Sequence, residues 1–342
     1  MKPNAKGQGK FPWGIGLALL LVLLLAGALY FVYGILPGQV AQAIASKAAA
    51  HKPLTKTPKD DGYQYRDVSF VADGGVTLSG WWMPPVGNKK ALGTVLLSHG
   101  FTKNREQVLD RAEFLVQSGY QVLLFDLRGH GMSGPSPVSG GLLEAKDYVA
   151  AFQYVKDFHF YRKPLVLFGF SLGAMSALRA AVQIPETAAV IADSPLANVN
   201  GYVSSRTLGR YFTRMPFFLS DCLSHYDRLT GLSLTEKDMD LIPVVGQIKV
   251  PALYLTGEND DLAHSEDVRK LFAATQSAQR RLVYLQGAGH EQTYSEDPLT
   301  YTRMVLKFLK DLREGFPKDE DIPPGAAQVI PARTPAPTRH IL

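Results

Sequence analysis

Cysteine is almost absent. The 342 residues contain one, Cys222, which excludes a disulfide framework and a zinc site built on cysteines. An excess of charge on the main body is also missing. The net charge of +5 belongs to residues 1–61, where seven Lys (Lys2, Lys6, Lys10, Lys47, Lys52, Lys56 and Lys59) face only Asp60 and Asp61. The remainder carries 29 basic and 29 acidic residues. With no basic stripe on the body, nucleic-acid binding has no electrostatic footing. The 46% hydrophobic and 20% charged residues exclude a disordered or fibrous chain.

Residues 11–33 lack any charge and any Ser or Thr. As a helix they would span ~34 Å, enough for a hydrocarbon core of about 30 Å. Trp13 stands near one end and Tyr30 and Tyr33 near the other, as interfacial aromatics do. A buried core helix of this length would carry a polar face. The small-residue patterns Ala41-Gln42-Ala43 and Ala43-Ile44-Ala45 offer signal-peptidase sites, but a signal peptide's apolar region is shorter, about 7–15 residues. We therefore expect an uncleaved single-pass anchor. Lys2, Lys6 and Lys10 ahead of the span set the N-terminus in the cytoplasm and the body outside it.

Five regions follow: a basic N-region at 1–10, the transmembrane anchor at 11–33, a linker at 34–61, one domain at 62–316, and a disordered tail at 317–342 holding six prolines. Within 62–316, strand patterns at 68–71, 76–83, 93–97, 121–125, 165–168, 188–191, 252–255 and 281–285 alternate with helical patterns near 104–118, 142–156, 172–183, 265–275 and 297–314. Strands separated by crossover helices predict an α/β fold with a mostly parallel, doubly wound sheet. Ligands in such a sheet bind beyond the carboxyl ends of the strands.

The chemistry falls there. Gly169-Phe170-Ser171-Leu172-Gly173 reads G-x-S-x-G between an apolar strand and an Ala-rich helix, a turn that exposes the Ser171 hydroxyl. A serine nucleophile needs a base, and the base an orienting carboxylate. Asp260 follows the 252–255 strand and His290 the 281–285 strand, each after its own glycine turn. Asp261, Glu258 and Asp193 stand as other candidates for the acid, Asp193 otherwise being a loop carboxylate bonded to backbone amides. The expected oxyanion hole consists of the N–H groups of Leu172 and Phe101, with Thr102 second to Phe101. His99 reads as a structural residue of that loop. No cofactor or metal is called for.

Five blocks in order, Leu97-Ser98-His99-Gly100-Phe101, Asp126-Leu127-Arg128-Gly129-His130-Gly131, Gly169-Phe170-Ser171-Leu172-Gly173, Gly257-Glu258-Asn259-Asp260 and Gly287-Ala288-Gly289-His290, resemble the α/β-hydrolase superfamily over residues 63–314. The second block and Ala192-Asp193-Ser194-Pro195 look most like its Bem46-like and serine-aminopeptidase-like bacterial groups. The resemblance implies esterase, thioesterase, lysophospholipase or, less often, peptidase activity, and a small helical lid at 196–249. The aromatic run 211–219 reads equally as an acyl-binding wall or as a helix pair packed on the core. The expected substrate is a small-molecule acyl ester or thioester, lipid-derived ones included, with an amide or peptide second. A non-catalytic binding protein on the same fold is the reading from a different class.

Overall fold

The computed structural model describes residues 13–48, 52–87, 90–198, 215, 217–316 and 329–331. The basic N-region, most of the aromatic run at 211–219 and most of the tail lie outside these described residues.

A single twisted sheet runs in the order β1-β2-β4-β3-β5-β6-β7-β8-β9. β1 (Arg66–Ala72) and β2 (Val76–Met83) form the expected hairpin, and β2 pairs antiparallel with β4 (Gln121–Phe125). All later pairings are parallel, through β3 (Thr94–Ser98), β5 (Leu165–Phe170), β6 (Thr187–Asp193), β7 (Ala252–Gly257) and β8 (Arg280–Leu285). The central strands are buried on both faces. Leu96, Leu165 and Leu167 enter one core layer, while Val95, Leu97, Val166 and Phe168 enter the other. That two-sided burial is why these strands read as continuous apolar runs rather than alternating ones.

Crossover helices α3 (Leu109–Gln117), α4 (Leu142–Asp157), α5 (Leu172–Ala181), α9 (Ser265–Ala274) and α10 (Pro298–Glu314) cover the sheet. Between β6 and β7 lie α6 (Phe218–Thr230) and two single-turn helices, α7 (Glu236–Met239) and α8 (Ile242–Val245). These form a small roof in the position expected for the lid.

Two terminal segments depart from expectation. Residues 34–61 read as a linker, yet α1 (Trp13–Tyr30) continues through a π-helical turn, Phe31–Ile35, into α2 (Leu36–Ala48). Pro37 offers no N–H to the carbonyl four residues back, and the wide turn falls at that defect. Packing then holds α2: Leu36 and Ala41 are 6% and 0% exposed, and Leu36 clusters with Phe218, Leu219, Cys222 and Leu223 of α6. In the tail, β9 (Val329–Pro331) pairs with Leu282–Tyr284 at the open edge of β8, where unpaired backbone groups can take another strand.

Candidate active site

Residues from three strand ends meet above the sheet. Ser171 sits between β5 and α5 with φ 52°, a left-handed conformation for a non-glycine residue. The elbow is so close that a Cβ on Gly169 would stand 2.1 Å from the Gly173 backbone, and one on Gly173 2.5 Å from Ser98 Oγ. Both glycines are therefore steric requirements of the turn. The Ser171 N–H donates to the Asp193 carbonyl at 2.8 Å, tying the elbow to the end of β6.

Ser171 Oγ lies 2.9 Å from His290 Nε2, and His290 Nδ1 lies 2.8 Å from Asp260 Oδ2. Asp260 is buried, and its other oxygen accepts the Leu262 and Ala263 N–H groups at 2.9 and 2.7 Å. These bonds turn Oδ2 toward the imidazole. An Nδ1–H donating to Oδ2 leaves Nε2 as the acceptor for the Ser171 hydroxyl. The structure thus brings together Ser171, Asp260 and His290. Asp261 and Glu258, the neighbouring candidates, are exposed.

Asp193 is turned away from the imidazole. Its Oδ2 accepts from Tyr301 Oη at 2.7 Å, Thr293 Oγ1 at 3.1 Å, and Arg111 Nη2 and Nε at 3.0 and 3.3 Å. These partners are side chains, not the backbone amides expected of a loop carboxylate. Burial opposes the Arg111 charge, but Tyr301, Asp110 and Asp193 outweigh it and raise the guanidinium above its ordinary value. Its Cζ also lies 5.2–5.4 Å from the ring centroids of Tyr301, Phe170 and Tyr294. Phe170 in turn packs 5.2 Å from the His290 ring. Sequence reading missed this support. An arginine on an amphipathic helix reads as an outward-facing residue, and nothing local marks Arg111 as buried.

His99 is held as expected of a loop residue. Its Nδ1 donates to the Gly100 carbonyl at 2.8 Å and its Nε2 accepts the Leu127 N–H at 3.1 Å. Burial, reinforced by His130, holds its pKa well below the usual value. The ring is therefore neutral, and Asp126, 3.9 Å from Nε2, is a neighbour rather than an ion-pair partner. The Gly100 N–H is fixed by Gln107 Oε1 at 2.8 Å, so the loop is anchored immediately ahead of Phe101 and Thr102. Leu172 is the first residue of α5, where the helix provides no acceptor for the N–H.

A cavity of about 190 Å³ opens over Ser171 and His290. Phe101, Leu172, Met175, Leu196 and Val138 line it from the body, Leu219, Cys222, Leu223 and Tyr226 from α6, and Ala41 and Ile44 from α2. Leu219 gives the aromatic-rich run a wall residue, while Phe218 beside it is buried within the roof and Phe217 is exposed. Glu291 is the one carboxylate among the described lining residues, and it pairs with Lys103 at 2.8 Å. Among the described residues, no cluster of three His, Cys, Asp or Glu side chains could hold a metal ion.

A family model described as serine aminopeptidase, S33, matches residues 89–229, which include Ser171 and end before Asp260 and His290. The Bacillus subtilis protein YqkD is 24% identical over 280 residues, covering 78% of this chain and 90% of its own. A Saccharomyces cerevisiae protein described as a membrane protein is 26% identical, covering 76% and 84%. Among solved structures, the Pyrococcus furiosus esterase Pf2001 superposes with a TM-score of 0.63 at 28% identity, covering 76% of this chain and 96% of that one.

Proposed function

We propose that the chain, which has the α/β-hydrolase fold and is similar to an esterase, is a membrane-anchored serine hydrolase of carboxylic esters or thioesters. The observation that carries this reading is the hydrogen-bonded line Asp260–His290–Ser171, which ends in an apolar cavity. Ser171 Oγ attacks the carbonyl carbon while His290 Nε2 takes its proton. The oxygen that gains the electron pair is held by the Leu172 and Phe101 N–H groups. When the tetrahedral adduct collapses, the carbonyl re-forms and the alcohol or thiol leaves with the proton from His290. Water, deprotonated by His290, then attacks the acyl-Ser171 ester, and collapse of this second adduct releases the carboxylic acid as His290 returns the proton to Ser171 Oγ. Asp260 holds the imidazole in the required tautomer throughout.

The apolar lining favours an acyl ester over a peptide. A free α-amine would need an acid near the carbonyl, and among the described lining residues the one carboxylate, Glu291, pairs with Lys103. In the bilayer, Ile15–Ala45 contains the one helix among the described residues long and apolar enough to cross. The lysines ahead of it orient the N-terminus to the cytoplasm and the catalytic domain to the other side.

Labelling of the full-length protein with a fluorophosphonate tests the reading. The wild type should label, and Ser171→Ala and His290→Ala should not. A folded wild type that neither labels nor turns over acyl esters would point instead to a binding protein on a hydrolase scaffold. Faster turnover of aminoacyl amides than of acyl esters would favour the peptidase reading.

A further inference from the structure

The helix that reads as the anchor does not stop at the end of the apolar stretch 11–33. From Trp13 to Ala48 the backbone is helical throughout. Its first half is bare, with Leu17 60% and Leu24 61% exposed, whereas Ala41 in its second half is fully buried. Ala41 and Ile44 line the same cavity as Ser171 and His290, beside Leu219, Cys222 and Leu223 of α6. At 1.5 Å per residue, these two positions stand ~12 and ~17 Å along the helix beyond Tyr33, the last residue of the apolar stretch 11–33. No ionisable side chain except tyrosine lies on this helix between Lys10 and Lys47. An acyl chain following it would therefore desolvate no charged group of the helix, a burial that is costly where it occurs.

We propose that the substrate is a bilayer-resident ester or thioester with a long acyl chain. The chain leaves the membrane along α2 and lies against Ala41 and Ile44, with its carbonyl at Ser171. This deepens the membrane-anchored hydrolase reading and rests on it. On this view α2 is a specificity-determining wall of the pocket, and the anchor delivers substrate as well as tethering the domain. A pocket's shape sets the chain it accepts, and small changes in an apolar wall shift discrimination by roughly tenfold or more.

The test uses the full-length protein reconstituted in phosphatidylcholine vesicles, with p-nitrophenyl palmitate dissolved in the bilayer and p-nitrophenyl butyrate in the water. Palmitate ester placed in the enzyme's own vesicles should turn over at once, and the same amount placed in separate protein-free vesicles only after a lag set by exchange between vesicles. Equal initial rates from the two placements mean that the ester is drawn from water, and overturn the proposal. Ala41→Phe should lower the palmitate-to-butyrate ratio of kcat/KM at least tenfold, and Ile44→Ala, which removes wall contact without adding bulk, two- to fivefold. Ratios equal to the wild type in both variants overturn the role of α2. Fluorophosphonate labelling of Ser171 in each variant shows that the fold and the Ser–His pair survive. A wild type that fails to float with the vesicles, or that neither labels nor hydrolyses butyrate, removes the underlying reading instead. Turnover of both esters with unaltered ratios removes only this inference.

Discussion

Beneath Ser171, a buried carboxylate takes bonds from an arginine, a tyrosine and a threonine, and a second carboxylate takes an imidazole and two backbone N–H groups. Above Ser171, α2 and α6 meet through Leu36, Phe218, Leu219, Cys222 and Leu223, with no ion pair between them among the described residues. The floor is directional. Each polar group there is aimed by a partner of fixed geometry, which a proton-transfer line needs. The roof is apolar, and apolar contact is non-directional. It can accept a change of shape that the floor cannot. On the proposed function, the division teaches that the reaction is specified below the substrate and the choice of substrate above it.

The largest effect should come from the floor. Asp260→Asn keeps the shape but stabilises the wrong tautomer of His290, and kcat should fall about ten-thousand-fold. Asp261→Asn, at an exposed neighbour, should stay near the wild-type rate. Equal losses in the two variants, measured in one ester assay, would mean that the line was drawn through the wrong carboxylate.

A smaller effect, on stability, separates support from chemistry. Asp193→Asn leaves the buried Arg111 with only the half-exposed Asp110 as a formal counter-charge. Breaking a buried pair in this way costs about 3–5 kcal/mol, readable as a lower urea midpoint. An unchanged midpoint would show that the floor is held by packing, as the roof is, and the contrast would fail.

The smallest effect concerns the roof alone. Burial, and then the neighbouring Asp221, push the Cys222 thiol up to about 12. Native Cys222 should react with iodoacetamide at pH 8 about a hundredfold more slowly than in urea. Alkylation as fast in buffer as in urea would show that α2 and α6 part readily, and that the roof is a gate rather than a wall.

Much of this was legible in the chain itself. The strands read as apolar runs because they are buried on both faces. Ser171, Asp260 and His290 could be picked out because each follows a strand and a glycine, and a doubly wound sheet sends all such ends to one rim. Arg111 could not, because burial of a charge depends on partners at Asp193 and Tyr301, 82 and 190 residues away. Nor could α2. Pro37, Gly34 and Gly38 argue against a helix locally, and only the face that α6 presents stabilises one. The three residues of β9 sit in a proline-rich tail, and what recruits them is the free edge of β8.

The residues lining the cavity run from Ala41 to Glu291, 250 residues later in the chain. Synthesis runs in that order. The α2 wall is made first, Ser171 midway, and His290 last of these, after Asp260. On the proposed reading, a growing chain therefore carries the apolar wall long before it can activate Ser171, and a chain cut short ahead of His290 has the elbow but no base. Synthesis of His290 is in this sense the step that arms the proposed site.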